Sequence, residues 1–149
     1  MTPYQQQMQR GKEALGGWQF EMALSCFRQA LELADTPQET TEACYYLSQL
    51  AKEPKQALDY LHTALRLTPD HWGAHFQLAG KAYEAGNLIA ALARLRLLSR
   101  LDPLDYSCWS EPMALIYTQL GKPRKARKLL RKGKSLWYKR QCAKNGLSH

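Results

Sequence analysis

The chain has 149 residues, 45% of them hydrophobic and 23% charged, with a formal net charge of +8 at pH 7. A mean hydropathy of −0.51 fits a soluble globular protein, and the length suits one domain with a substantial core. The longest apolar window, Leu88 to Ala93, is far too short to cross a bilayer, and MTPYQQQMQRGKE holds no apolar run that could serve as a secretory signal, so a cytoplasmic protein is expected.

The first predicted helix, Tyr4 to about Leu15, is polar and glutamine-rich and is broken by Gly16-Gly17. A second follows with Phe20, Ala23, Leu24, Phe27, Ala30, Leu31 and Ala34 spaced by threes and fours on one face. Thr36-Pro37 stops and restarts the chain, and Glu39 and Glu42 then suit the positive end of a third helix whose stripe is Ala43, Tyr46, Leu47 and Leu50. After Lys52-Glu53-Pro54, a fourth helix repeats the inner face with Ala57, Leu58, Leu61, Ala64 and Leu65, and Thr68-Pro69-Asp70 closes it.

A fifth and sixth helix carry Leu78, Ala79 and Tyr83, then Ala91, Leu92, Leu95 and Leu98, broken at Gly86-Asn87 and closed by Asp102-Pro103. Pro112 predicts a seventh helix that begins late, near Ser110, so that the proline falls in its first turn, where no amide donor is missed. Ala114, Tyr117 and Leu120 follow, then Gly121-Lys122-Pro123. The eighth helix is expected to bury Ala126, Leu129, Leu130, Gly133 and Trp137, and to fray from about Arg140.

Ala23, Ala57 and Ala91 recur at intervals of 34, and Ala126 follows at 35. One helical hairpin is therefore written four times, over about 3–37, 38–70, 71–104 and 105–139, in a single domain 1–139 with a basic tail 140–149. The alanines let helices approach closely, and the large residues four positions later, Phe27, Leu61, Leu95 and Leu130, fill the space beside them. The expected fold class is all-α, built from stacked antiparallel helical hairpins.

These residues resemble the tetratricopeptide repeat (TPR) family. Repeat three carries the resemblance in Leu78, Ala79, Tyr83 (one place late), Gly86, Ala91, Leu95, Leu98 in place of alanine, and Pro103; repeat four in Met113, Ala114, Tyr117, Gly121, Ala126 and Leu130. Repeats one and two match in their second helices, with Ala23, Phe27, Ala30 and with Ala57, Leu61, Ala64, Pro69. The resemblance implies a right-handed superhelix, a TPR-like α-solenoid, whose concave face is lined by the first helix of each hairpin and holds a peptide or helix of a protein partner.

Carried over by position, that face receives Met8, Gln9 and Lys12; Glu39, Glu42, Tyr46 and Gln49; Phe76, Gln77, Tyr83 and Glu84; and Glu111, Leu115 and Thr118. The implied groove is aromatic and mildly acidic, suited to a basic or polar partner segment. Heat-shock co-chaperones of this family clamp a C-terminal carboxylate with several cations on these helices. Here only Lys12 remains, and no such clamp is expected.

Residues 1–111 carry 10 Lys+Arg and 13 Asp+Glu, whereas residues 112–149 carry 11 Lys+Arg and no acid. On the eighth helix Arg124, Arg127, Lys128, Arg131, Lys132 and Lys134 form a basic ridge. Such a ridge suits nucleic acid, an anionic membrane surface or an acidic protein; as a solubilising terminal face it would need fewer charges. His71 and His75 stand at i, i+4 without a third ligand or the glutamate of a metalloprotease motif, so no metal is expected. Cys26, Cys44, Cys108 and Cys142 show no paired spacing and read as reduced thiols. No phosphate-binding glycine loop, nucleophile elbow or Cys/His pairing occurs. A non-enzymatic adaptor without cofactor is expected, and the sequence leaves its oligomeric state open.

Overall fold

The computed structural model describes residues 1–101 and 106–146, with the side chains of 106–108 outside that description. Asp102-Pro103 and the Cys108 side chain therefore lie outside the described residues. The fold is all-α. Its helices are α1 (Pro3–Gly16), α2 (Phe20–Leu33), α3 (Pro37–Leu50), α4 (Pro54–Leu67), α5 (Trp72–Glu84), α6 (Leu88–Leu101), α7 (Tyr106–Gln119) and α8 (Pro123–Lys144). They fall into two compact units, residues 1–74 and 75–149.

In the first unit, local chemistry sets where helices start. Thr2 and Gln5 form a reciprocal capping box on α1, Thr36 Oγ1 accepts from Glu39 N at 3.2 Å on α3, and Pro3, Pro37 and Pro54 occupy the first helical turn. Phe27, fully buried on α2, holds the unit together. Its ring stacks on Tyr46 of α3 with centroids 4.9 Å apart, and it lies so close to α1 that a Cβ on Gly11 would sit 2.6 Å from it. Around it pack Tyr4, Met8, Ala14, Ala23, Ala30, Ala43 and Leu47.

Phe20, expected on the buried stripe, is exposed: it is the first residue of α2, and its ring meets that of Trp18 edge-on at 5.9 Å. The break after α1 also differs from expectation. The left-handed residue is Trp18, with φ of 61°, rather than either glycine; Trp18 N donates to Leu15 O and Gln19 N to Ala14 O at 2.8 Å. The same turn closes α5 at Gly86, where Asn87 N donates to Ala82 O, and α7 at Gly121, where Lys122 N donates to Tyr117 O. Positions 18, 86 and 121 thus keep the repeat in backbone conformation, with tryptophan where glycine is the unstrained residue.

Tyr4 Oη donates to Glu39 O at 3.0 Å and to Glu42 Oε2 at 3.2 Å. Burial first, and the Glu42 carboxylate second, push its pKa well above the usual phenol value. The unfolded chain loses this proton near pH 10 while the folded chain keeps it, so stability falls as pH rises above about 10. Tyr4→Phe is expected to flatten that alkaline decline in thermal melts; an unchanged slope would count against the assignment.

The second unit is built on Ala79, Ala91, Leu92, Leu95, Leu98, Trp109, Met113, Ala114, Ile116, Tyr117 and Ala126. Two sequence expectations are corrected here. Helix α7 starts at Tyr106, not near Ser110, and Pro112 lies inside it. The earlier turn carries Trp109 and Ser110, both buried, with Trp109 packed on Phe76 at 5.7 Å; this burial offsets the hydrogen bond lost at the proline. On α8 only Ala126 and Gly133 of the expected stripe are buried, Leu129 is partly covered, and Leu130 and Trp137 are 42% and 54% exposed. Leu130 and Trp137 share the face of Ala126 and Gly133 but border a cavity between α8 and Ser110 and Glu111 of α7, which leaves them exposed. The helix runs on to Lys144, past Arg140, with Cys142 buried and Asn145 as its C-cap. Cys26, Cys44 and Cys142 are buried free thiols, and burial raises the Cys44 pKa.

Candidate binding surfaces

In the first unit, α3 and the start of α5 enclose a cavity of about 340 Å³. Helix α3 brings Glu42, Tyr45 and Tyr46 to it: Glu42 and Tyr45 lie away from the buried Ala43 and Leu47, while Tyr46, beside that edge, packs against the core and also lines the cavity. Thr41, His71 and Trp72 complete the wall. Tyr45 lies 5.5 Å from Tyr46 and 5.0 Å from His71 between ring centroids. A Cβ on Gly73 would come within 2.8 Å of the Tyr45 ring, so glycine there lets α5 begin against this aromatic group. Trp72 is 59% exposed at the cavity edge.

Lys12 Nζ sits 2.9 Å from Glu42 Oε1 and 5.3 Å from the Tyr46 ring centroid. The hydrogen bond to Glu42 raises the Lys12 pKa, against a smaller opposing effect of burial. Both partners are more than two-fifths exposed, so the pair stabilises little. Its consequence is for recognition: the negative charge of Glu42 is already neutralised, and the cavity presents ring faces more than charge.

Several expected groove residues have other work. Met8 is buried in the core. Glu39 uses its carboxylate on Asp35 N at 2.8 Å and its carbonyl on Tyr4. Gln9 bonds Glu13 at 2.8 Å, and Gln49 is exposed. Tyr45, Thr41, His71 and Trp72 escape sequence reading; the one available signal was the aromatic, turn-flanked string Asp70-His71-Trp72.

In the second unit Phe76 is 40% exposed and backed by Trp109, whose Nε1 is buried with no hydrogen-bond partner among the described residues. Gln77 is half-buried, Glu84 is exposed, and half-buried Tyr83 accepts from Gln119 Nε2 at 2.6 Å. Exposed Glu111 lines a cavity of about 390 Å³ with Leu130, Lys134 and Trp137, while Leu115 and Thr118 face solvent. Arg124, Arg127, Lys128, Arg131, Lys132 and Lys134 are all exposed on α8.

His71 and His75 are committed to different partners. His71 Nδ1 accepts from Ala74 N at 3.0 Å, capping α5 and leaving the ring proton on Nε2; buried His75 has its Nδ1 3.1 Å from Arg94 Nη1. Among the described residues no group of three or more His, Cys, Asp or Glu could hold a metal ion, and no helix is long and apolar enough to cross a membrane.

Residues 48–110 match the family model described as tetratricopeptide repeat. No curated protein matches the chain in sequence. Among solved structures, MamA is similar with a TM-score of 0.77 at 20% identity, over 93% of this chain and 80% of that one. PilF of Pseudomonas aeruginosa is similar with a TM-score of 0.73 at 26% identity, over 90% of this chain and 61% of that one. YrrB, described as a TPR protein with an unusual peptide-binding site, gives 0.65 at 22% identity, over 85% and 64%. Likeness at such identity concerns the fold.

Proposed function

Since residues 48–110 match the tetratricopeptide repeat model and the helical hairpins resemble solved proteins of that fold, we propose that the chain is a tetratricopeptide repeat protein that acts as a non-enzymatic adaptor or assembly scaffold binding a peptide or helix of a protein partner. The observation that carries this reading is the half-open aromatic cavity of the first unit. Tyr45, Tyr46 and His71 line it, Trp72 lines it with much of its ring exposed, and the Glu42 that Lys12 neutralises is part of the same lining. Rigid rings held by their neighbours give contact area at low entropic cost, which is what a peptide anchor requires. The peptide-binding site ascribed to YrrB supports the same use of the fold. The expected occupant is a segment with an apolar or aromatic anchor residue. Phe76 on its Trp109 backing, with Gln77, Tyr83 and Glu84 on the same helix, is a second contact patch in its own unit.

Selection of peptides from a display library tests the reading. Peptides with an apolar anchor are expected to bind the wild type and to lose on the order of 30-fold in affinity on Tyr45→Ala with Trp72→Ala. Selection of no peptide, or equal binding to the double variant, would overturn it.

A second reading is favoured by charge. Residues 75–149 carry 15 Lys+Arg and 4 Asp+Glu, and the exposed ridge on α8 holds six of those cations. Under this reading α8 docks on an anionic surface. Retention on heparin that disappears when Arg124, Arg127, Lys128 and Arg131 become glutamate is the expected result.

A further inference from the structure

The cations of α8 do not all belong to the ridge. Tyr117 on α7 is only 7% exposed, and charged side chains of two other helices close over its ring. Arg96 comes from α6: its guanidinium carbon lies 5.6 Å from the ring centroid, and its Nη2 donates to Tyr117 Oη. Lys125 comes from α8 and places Nζ 5.6 Å from the same centroid. Lys128 and Lys132, three and seven residues further on, line the same cavity of about 270 Å³ together with Tyr117, Lys125 and Leu129. Among the described residues that line it there is no carboxylate.

Positive charges gathered over a phenol ring, with protein rather than water beneath it, repel one another more than they would in bulk solvent. The ring faces attract Arg96 and Lys125 through their quadrupole, but that attraction does not cancel the repulsion among the cations. A bound anion does, and the arrangement favours one with more than a single charge. A carboxylate brings one charge and two acceptor oxygens; a phosphate brings more charge and three oxygens, matching the fork of Arg96 and the point charges of the lysines. The row from Lys125 to Lys132 spans about 10 Å at 1.5 Å per residue, longer than one phosphate. Tyr117 Oη accepts from Arg96 and keeps its own O–H for donation.

We propose that the Arg96–Tyr117–Lys125–Lys128 pocket is a binding site for a chain of two or three linked phosphate groups. The site lies apart from the aromatic cavity of the first unit and does not rest on the peptide-binding reading. Linked phosphates come either as a free oligophosphate or as the backbone of single-stranded RNA, and both present the same chemistry to these side chains.

Binding of inorganic tripolyphosphate by calorimetry and of a labelled single-stranded RNA by anisotropy, with a glutamate-rich peptide of matched charge as competitor, tests the site. Arg96→Gln with Lys125→Gln is expected to weaken phosphate binding on the order of 10- to 100-fold. Arg124→Gln with Arg127→Gln removes the same charge from the ridge and is expected to leave it within about three-fold, as for a change in the general field alone. Lys128→Gln with Lys132→Gln gives an independent loss on exposed residues, and Tyr117→Phe separates the hydroxyl from the ring. Pocket-dependent binding of tripolyphosphate alone assigns the free oligophosphate, and pocket-dependent binding of RNA assigns the phosphodiester backbone; either supports the site. Equal loss in the ridge variant, equally tight binding of the glutamate-rich peptide, or no binding of either phosphate probe overturns it.

Discussion

Phe27→Ala is expected to cost about 3–5 kcal/mol, a large part of the 5–15 kcal/mol that holds a typical domain folded. Phe27 is fully buried, stacks on Tyr46 and fills the space against Gly11, so its loss opens a cavity bordered by three helices at once. Urea unfolding should show the midpoint collapse, while Phe27→Leu, closer in volume, should cost far less. The neighbouring glycine gives an internal control. Gly11→Ala alone places a methyl group 2.6 Å from the ring and destabilises despite alanine's better helix propensity. In the Phe27→Ala background the same methyl enters vacated space, so the two changes should be strongly non-additive. Additive effects would show that α1 and α2 do not meet through this pair.

Pro112→Ala has the opposite sign. A proline inside a helix costs roughly 3 kcal/mol against alanine, because it removes the donor to the carbonyl four residues back and crowds that carbonyl. Pro112 is an interior residue of α7, and its ring is half-buried, so the loss of its packing returns part of the gain. A net stabilisation of about 1–2 kcal/mol is expected, a rise in melting temperature of several degrees for a protein of this size. A melting temperature that stays level or falls would mean that the proline ring contributes more to the core than its exposure suggests.

The hairpins were legible in sequence because their determinants are local and periodic. Ala23, Ala57, Ala91 and Ala126 mark the close helix contacts, and all four are buried. Prolines and capping threonines mark the helix starts. What misled was each place where tertiary burial outweighs a local rule. Pro112 argues for a late helix, but Trp109 and Ser110 before it are buried and draw the helix forward. Leu130 and Trp137 fit the stripe of α8 and share the face of buried Ala126 and Gly133, yet they stay exposed because they line an open cavity with Ser110 and Glu111 of α7 instead of packing against it. Trp18 takes the left-handed position although two glycines stand just before it.

The candidate sites were less legible, for a different reason. A sequence pattern gives the face of a helix, not which side chains on that face are already occupied. Glu39 and Glu42 were expected in the groove, but one accepts from Asp35 N ahead of α3 and the other pairs with Lys12 and Tyr4. Tyr45, one residue from the expected Tyr46, became a cavity wall because Gly73 allows α5 to begin against it. Arg96 joined Tyr117 of α7, 21 residues along the chain, and Lys125 of α8, 29 residues along, a proximity that no spacing rule contains.

The division of charge between the units bears on what an approaching molecule senses. At physiological ionic strength the Debye length is about 8 Å, while a unit of some 75 residues has a radius of gyration of roughly 11 Å. Each half is therefore largely screened from the far side of the other. The net +8 is a sum that no nearby partner meets: residues 1–74 present a formal −3, and residues 75–149 a formal +11. Dilution to low salt lengthens the screening distance until the two halves act as one body, so the chain's preference among charged partners depends on ionic strength in kind as well as in degree.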